Sequence, residues 1–127
     1  MEQVYAFIKK ECNGVFDLLT VREGAPVGRP FGAIALISGT LYITTGPHKA
    51  VYRDMIKNPA VGLVAMKPGS REWVRLSATA VETQDVSLKA EMLKQCPNLL
   101  KYHAHPSDPT FSVFALKNPL ADWPKKK

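Results

Sequence analysis

The chain has 127 residues, 46% of them apolar and 22% charged, a balance that suits one soluble globular domain and excludes a disordered tail or two separate well-built cores. Its formal charge is +6, but three of the 17 basic residues form the terminal lysine run, so the body carries only +3. Without an arginine-rich stripe or a run of about 18 apolar residues, neither nucleic acid nor a membrane is expected as a partner.

In chain order, residues 2–13 bring Val4, Phe7, Ile8 and Cys12 to one face, the pattern of an amphipathic helix closed by Asn13-Gly14. This alternation of apolar and charged residues is unlike a signal peptide, so a cytoplasmic location is expected. Residues 15–21 read as a strand, 22–26 as a turn, and 28–38 as a longer strand whose 33–37 part is apolar on both faces. Ser38-Gly39-Thr40 then makes a connection to 41–45 so short that the two strands should pair antiparallel.

A helix is expected over 47–57, with Pro47 at its first position, Val51 with Met55 and Tyr52 with Ile56 as apolar pairs, and Asn58-Pro59 as its stop. Residues 60–66 form a buried strand, 67–72 a turn, and 73–83 a long strand with Val74, Leu76, Ala78 and Ala80 on one side. A second amphipathic helix covers 86–95 and stops at Cys96-Pro97. Residues 98–109 read as a short helix or loop, and 110–123 return to strand. With no β-α-β alternation, the class is α+β, mainly β: one domain over 1–123 built on an antiparallel barrel with flanking helices, then a basic tail at 124–127. Cys12 and Cys96 have no metal or redox spacing and read as ordinary reduced thiols.

One stretch carries charge in an unusual place. His48 and Lys49 open the 47–57 helix, where the dipole and the free amides favour Asp or Glu. Thr44 and Thr45 supply hydroxyls at the preceding strand end, and Gly46 lets the backbone turn. A phosphate there would receive amides, a hydroxyl and the Lys49 ammonium; the plainer alternative is a threonine cap with a solvated lysine beside it. In 28–36, Arg29 could pair with a phosphate through two bonds. Pro30 and Gly32 mark either a strand edge where a ligand meets backbone or a barrel corner that needs a glycine bend.

Taken together, "RPFGAI", "LYITT", "HKAVYRDMIKNPAVGLVAM" and "WVRLSATAVE", in this order from Phe16 to Phe114, resemble the FMN-binding split-barrel proteins of the pyridoxamine 5′-phosphate oxidase-like family in their short form. The resemblance implies a six-stranded antiparallel split barrel that forms a homodimer, with FMN at the subunit interface. It implies that Arg29, His48 and Lys49 hold the FMN phosphate, that Pro30, Phe31, Gly32, Ala33 and Ile34 line the flavin ring, and that Thr44 and Thr45 belong to the same site. Trp73 stands where the full-length oxidases carry a polar flavin contact, so it either stacks near the ring or packs at the interface. Arg75 matches a basic position on the same strand. Trp123 either covers a flavin or anchors the C-terminal segment.

The arginine and histidine motif that clamps substrate in the true oxidases has no match here. His103 and His105 form an HxH without a companion carboxylate or cysteine set, and read as exposed loop residues with no metal. No Ser–His–Asp set, carboxylate pair or Cys–His pair has a spacing suited to acyl transfer or glycoside hydrolysis. The implied function is therefore that of an FMN-dependent oxidoreductase acting on a small substrate. The alternatives are a flavin-binding or electron-carrier protein without turnover, or a split barrel holding deazaflavin or haem.

Overall fold

The computed structural model describes residues 1–124; the lysine tail from 125 onward lies outside the described residues. The chain opens with α1 (Glu2–Ala6), which continues as a π-helical turn over Phe7–Glu11. It ends at Asn13 and Gly14, both at positive φ, with the Gly14 amide donating back to the Ile8 carbonyl at 2.8 Å. Val4, Ile8 and Cys12 are buried along one face, as their spacing requires.

Seven strands follow in one antiparallel sheet: β1 (Phe16–Arg22), β2 (Ala25–Phe31), β3 (Ile34–Ile37), β4 (Thr40–Thr45), β5 (Ala60–Met66), β6 (Trp73–Thr83) and β7 (Ser112–Asp122). Their spatial order is β2-β1-β5-β6-β7-β4-β3. The six expected strands become seven because the 28–38 run breaks at Gly32-Ala33 and supplies β2 and β3 separately. These two are the outermost strands of the sheet, yet only two residues join them. A flat seven-stranded sheet would hold its edges roughly 29 Å apart, whereas the link from Phe31 to Ile34 reaches at most about 11 Å. The sheet therefore curls until its edges meet at this corner, giving a barrel that is not hydrogen-bonded shut.

Two hairpins use tight turns with consecutive positive φ, Glu23-Gly24 between β1 and β2 and Ser38-Gly39 between β3 and β4. This is the type I′ geometry whose twist matches paired strands. Inside the barrel, Phe16, Leu18, Ile34, Leu41, Ile43, Leu63, Leu76 and Phe114 make the main core. The opposite faces of β3, β4 and β7 present Ala35, Tyr42, Val113 and Ala115 to Met92 and Leu93 of α3 (Val86–Gln95). Covering by α3 explains why 33–37 is apolar on both faces. Gln95 of α3 also donates to the Leu36 carbonyl at 2.9 Å and accepts from its amide at 3.1 Å, so the free edge of β3 is satisfied by a side chain.

The second helix is shorter than its pattern suggests. α2 covers Ala50–Lys57, while Pro47 and His48 lie in a turn closed by the Lys49 amide donating to the Gly46 carbonyl at 3.0 Å. Pro47 is favoured in such a turn, which stops helical geometry before Lys49. Val51 and Met55 are buried and Tyr52 packs edge to face on Phe114, but Ile56 is exposed.

Asp54 of α2 is 5% exposed and ties the helix to the barrel edge. It accepts from Arg22 Nε at 2.9 Å and Nη2 at 2.9 Å, from the Thr20 hydroxyl at 3.0 Å, and from Arg29 Nη2 at 3.3 Å. The Arg22 bonds are the chief reason its carboxyl is held below the ordinary value of 3.8, against the opposing effect of burial. Asp54→Ala is expected to cost about 3 kcal/mol at neutral pH, because two guanidinium groups lose a buried partner. A folded-state value below the unfolded one gives stability that is complete above 3.8 and lost as pH falls through the lowered value. Urea unfolding across pH should therefore show the gap between wild type and variant narrowing in acid; a gap constant from pH 7 to pH 2 would contradict the ion-pair account.

Candidate functional site

A cleft of about 870 Å³ opens beside the corner where the barrel edges meet. One wall is Pro30–Ala33, from the end of β2 through the corner. The floor is the end of β4 with the turn after it, Thr44–Gly46, His48 and Lys49. The far wall is the end of α3 with the 3₁₀ helix Pro97–Lys101, followed by Tyr102 and His103. Helices at the split end thus turn a strand edge into a pocket.

The floor is built for close approach. Gly46 is buried, and a Cβ there would stand 2.7 Å from His48 Cε1 and 2.9 Å from the Thr110 carbonyl oxygen. Thr44 donates its hydroxyl to the Ser112 carbonyl at 2.9 Å and so pins β4 to β7. Thr45 differs: it is 7% exposed, and its hydroxyl is the buried side-chain polar atom left without a partner among the described residues. An unpaired buried hydroxyl costs free energy on the order of 1–3 kcal/mol unless something else bonds it.

Lys49 is the N-cap residue of α2 and provides no side-chain cap, and the first turn contains no acid. By contrast, α3 is capped by Asp85, which accepts from the amides of Ser87 and Leu88. The free amides of α2 begin beside the cleft, which Val51 of the first turn also lines. Lys9, Lys49 and Lys101 line the cleft with His48 and His103, while no Asp or Glu does so among the described residues. The helix dipole and the side chains act in the same direction, toward an anion.

Of the residues singled out in the sequence, Pro30, Phe31, Gly32, Ala33, Thr44, Thr45, His48 and Lys49 meet at this cleft. Ile34 lies directly behind its wall, fully buried in the main core. Arg29 does not line it: its guanidinium donates to Thr20 Oγ1 at 2.9 Å, the Leu18 carbonyl at 3.2 Å and Asp54 at 3.3 Å, with burial the main reason its pKa is lowered. Trp73, Arg75 and Trp123 also stand elsewhere on the chain. Arg75 lies over the Trp73 ring at 5.5 Å and pairs with Asp122, while Trp123 meets Phe7 edge to face at 5.3 Å.

Sequence reasoning missed the far wall. His103 is not an exposed loop residue: its side chain is 14% exposed and its ring packs 4.8 Å from that of the buried Phe111, whereas His105 is exposed and bonds Ser107. The available signal was Phe111 at a strand start, an apolar anchor able to pull the preceding loop inward. Cys96 also lines the cleft; burial is the main cause of its raised thiol pKa, and its sulfur donates to the Ile34 carbonyl at 3.4 Å. Both cysteines are free and buried.

The family model for pyridoxamine 5′-phosphate oxidase matches residues 1–118, and the chain belongs to that family. Among solved structures, a NimC/NimA family protein from Clostridium acetobutylicum is 30% identical, with a TM-score of 0.90 over 100% of this chain and 86% of that one. General stress protein 26 of Bacillus anthracis is 20% identical, with a TM-score of 0.78 over 96% and 91% of the two chains. HutZ, a haem storage protein of Vibrio cholerae, is 12% identical, with a TM-score of 0.71 over 94% and 92%, a likeness of fold alone. No curated protein matches the chain. No helix among the described residues is long and apolar enough to cross a membrane.

The close approach at Gly46 gives a direct test of the floor. Gly46→Ala is expected to destabilise the protein by about 1–3 kcal/mol, because the Thr110 backbone cannot yield as a flexible side chain would. Thermal unfolding measures it; a change within about 0.5 kcal/mol, ordinary for a surface position, would contradict the packing described.

Proposed function

We propose that the chain is a flavoprotein that binds FMN in this cleft and acts as an FMN-dependent oxidoreductase on a small substrate. The observation that carries the reading is the partnerless Thr45 hydroxyl, buried at the cationic end of the cleft beside the uncapped start of α2. A dianionic phosphate supplies what each group there lacks: an acceptor for the hydroxyl and amides, and a counter-charge for Lys49 and His48. Phe31, Ala33, Val51 and Leu99 add an apolar lining suited to a flat ring, and the volume falls within the range of small-molecule sites.

In this reading Thr45, His48 and Lys49 hold the phosphate, and Pro30–Ala33 lie along the ring, backed by Ile34. Thr44 fixes the end of β4 with its hydroxyl already given to Ser112. Arg29 acts at one remove, by bonding the Asp54 that holds α2 in place. Bound FMN would supply the hydride or electron transfer, while the chain orients it and sets its electrostatic surroundings. The protein would work as a homodimer, since Trp73, Arg75 and Trp123 stand away from this cleft and could join a flavin site by being presented to the cleft of a second copy. A cytoplasmic location accompanies this reading.

A haem-binding alternative draws on the two imidazoles, His48 and His103, that line the cleft, histidine being a common axial ligand. The phosphate separates the readings. Lys49→Ala should weaken FMN by about 1.5–3 kcal/mol through loss of a charge-assisted hydrogen bond, and leave riboflavin nearly unaffected. Equilibrium dialysis with both flavins measures this; equal losses, or failure of the wild type to retain FMN, would overturn the assignment.

A further inference from the structure

Among the ionisable side chains of the far wall, His103 is tied to the anion end of the cleft. Thr110 connects them: its carbonyl oxygen crowds Gly46, and its hydroxyl lies 3.2 Å from His103 Nδ1. That hydroxyl also lies 2.7 Å from Asp108 Oδ1. A carboxylate only accepts, so the Thr110 hydrogen points to Asp108, and its oxygen is left to accept from Nδ1–H of His103. The tautomer follows: Nδ1 carries the hydrogen, and Nε2 is the nitrogen available to a ligand.

The loop is fixed in this geometry. The His103 amide donates to the Leu99 carbonyl at 2.9 Å, the Phe111 amide to the Asp108 carbonyl at 3.0 Å, and the Thr110 amide to Asp108 Oδ1 at 2.9 Å. Asp108 Oδ2 stands 3.6 Å from His103 Nδ1. The Asp108 carboxyl is itself held low, chiefly by the Thr110 amide and hydroxyl. The other charged or titratable groups around His103 among the described residues are His48 and Lys49 on the floor, Cys96, Lys101 and Tyr102 on the far wall, Lys9 across the cleft, and His105 on its own loop.

We propose that His103 is a proton-dependent third arm of the phosphate site: protonated at Nε2, it donates a hydrogen bond to the phosphate held by Thr45 and Lys49, with Thr110 and Asp108 as its positioning residues. The proposal rests on the flavin reading for the identity of the ligand, though its geometry concerns any phosphate. Binding of a phosphorylated flavin is then coupled to proton uptake at Nε2. The sign follows from the donor count: an imidazole donates from both nitrogens only when protonated, so the extra affinity is larger in acid than in base. Riboflavin, which has no phosphate, gains nothing from that proton. His103 is thus a specificity-determining residue for the phosphorylated ligand.

Two measurements test this together. In the first, FMN and riboflavin affinities are compared at pH 6 and pH 8 for wild type and His103→Gln. The variant should lose FMN affinity about tenfold at pH 6, the scale of one charge-assisted hydrogen bond, and differ little at pH 8 or with riboflavin. In the second, inorganic phosphate is titrated into the flavin-free wild-type protein carrying isotope-labelled histidine. At pH 6 the His103 imidazole signals should shift with phosphate, while those of the exposed His105 stay in place; this arm does not depend on the variant folding. Phosphate that moves His103, in a protein that does not retain FMN, would support the third arm and overturn the flavin reading. FMN binding with the same pH dependence in wild type and variant, or His103 signals indifferent to phosphate, would overturn the third arm and leave the flavin reading standing.

Discussion

The molecule is organised by a two-residue link. Gly32 and Ala33 are all that joins β2 to β3, the two edges of a seven-stranded sheet, so the sheet has to close on itself at that point. The same link produces the cleft. Where the edges converge without pairing to each other, Pro30 and Phe31 pair with β1 on one side only and Gly32-Ala33 lie between strands, and α3 with the 3₁₀ helix after it completes a pocket around them. Proline, with no amide to donate, and glycine, with no side chain, suit a strand end whose outer edge is left unpaired. The corner and ligand-contact readings of these residues are therefore compatible.

The second constraint concerns how a helix can begin with positive charge and no cap. α2 gives up the favourable interaction that Asp85 provides for α3, a difference of about 1 kcal/mol. Its position is secured further along, where buried Asp54 takes bonds from Arg22, Arg29 and Thr20, and where the Tyr52 hydroxyl donates to Glu82 at 2.8 Å. Anchoring the helix through its middle leaves its N-terminus free to serve the cleft. Arg29 belongs to the anchor, and so bears on the anion end through the placement of α2.

Much of this was legible in the sequence because local chemistry and tertiary environment agree there. The period-2 strands, the Ser38-Gly39 hairpin and α3 follow directly from pattern and turn residues. Pro30–Ala33, Thr44–Thr45 and His48–Lys49 could be singled out because each departs from what its element alone would prefer. The count of strands was not legible: nothing in "GRPFGAIALIS" says on its own that the break at Gly32-Ala33 carries the chain from one sheet edge to the other. The start of α2 was misjudged because Pro47 suits a helix's first position and a tight turn equally. The far wall was hidden for a different reason. Lys9, Lys101 and His103 are ordinary surface residue types in sequence, and only the packing of α3 and the seating of Phe111 bring them to one cavity.

The central claim is that the cationic end of the cleft holds the phosphate of a flavin. The absorption spectrum of freshly purified protein, before and after dialysis against FMN, tests it most directly. The account predicts a flavin spectrum, either as isolated or retained after FMN is added and the free ligand removed. A protein that stays colourless after exposure to FMN, or that carries a haem band instead, would contradict it.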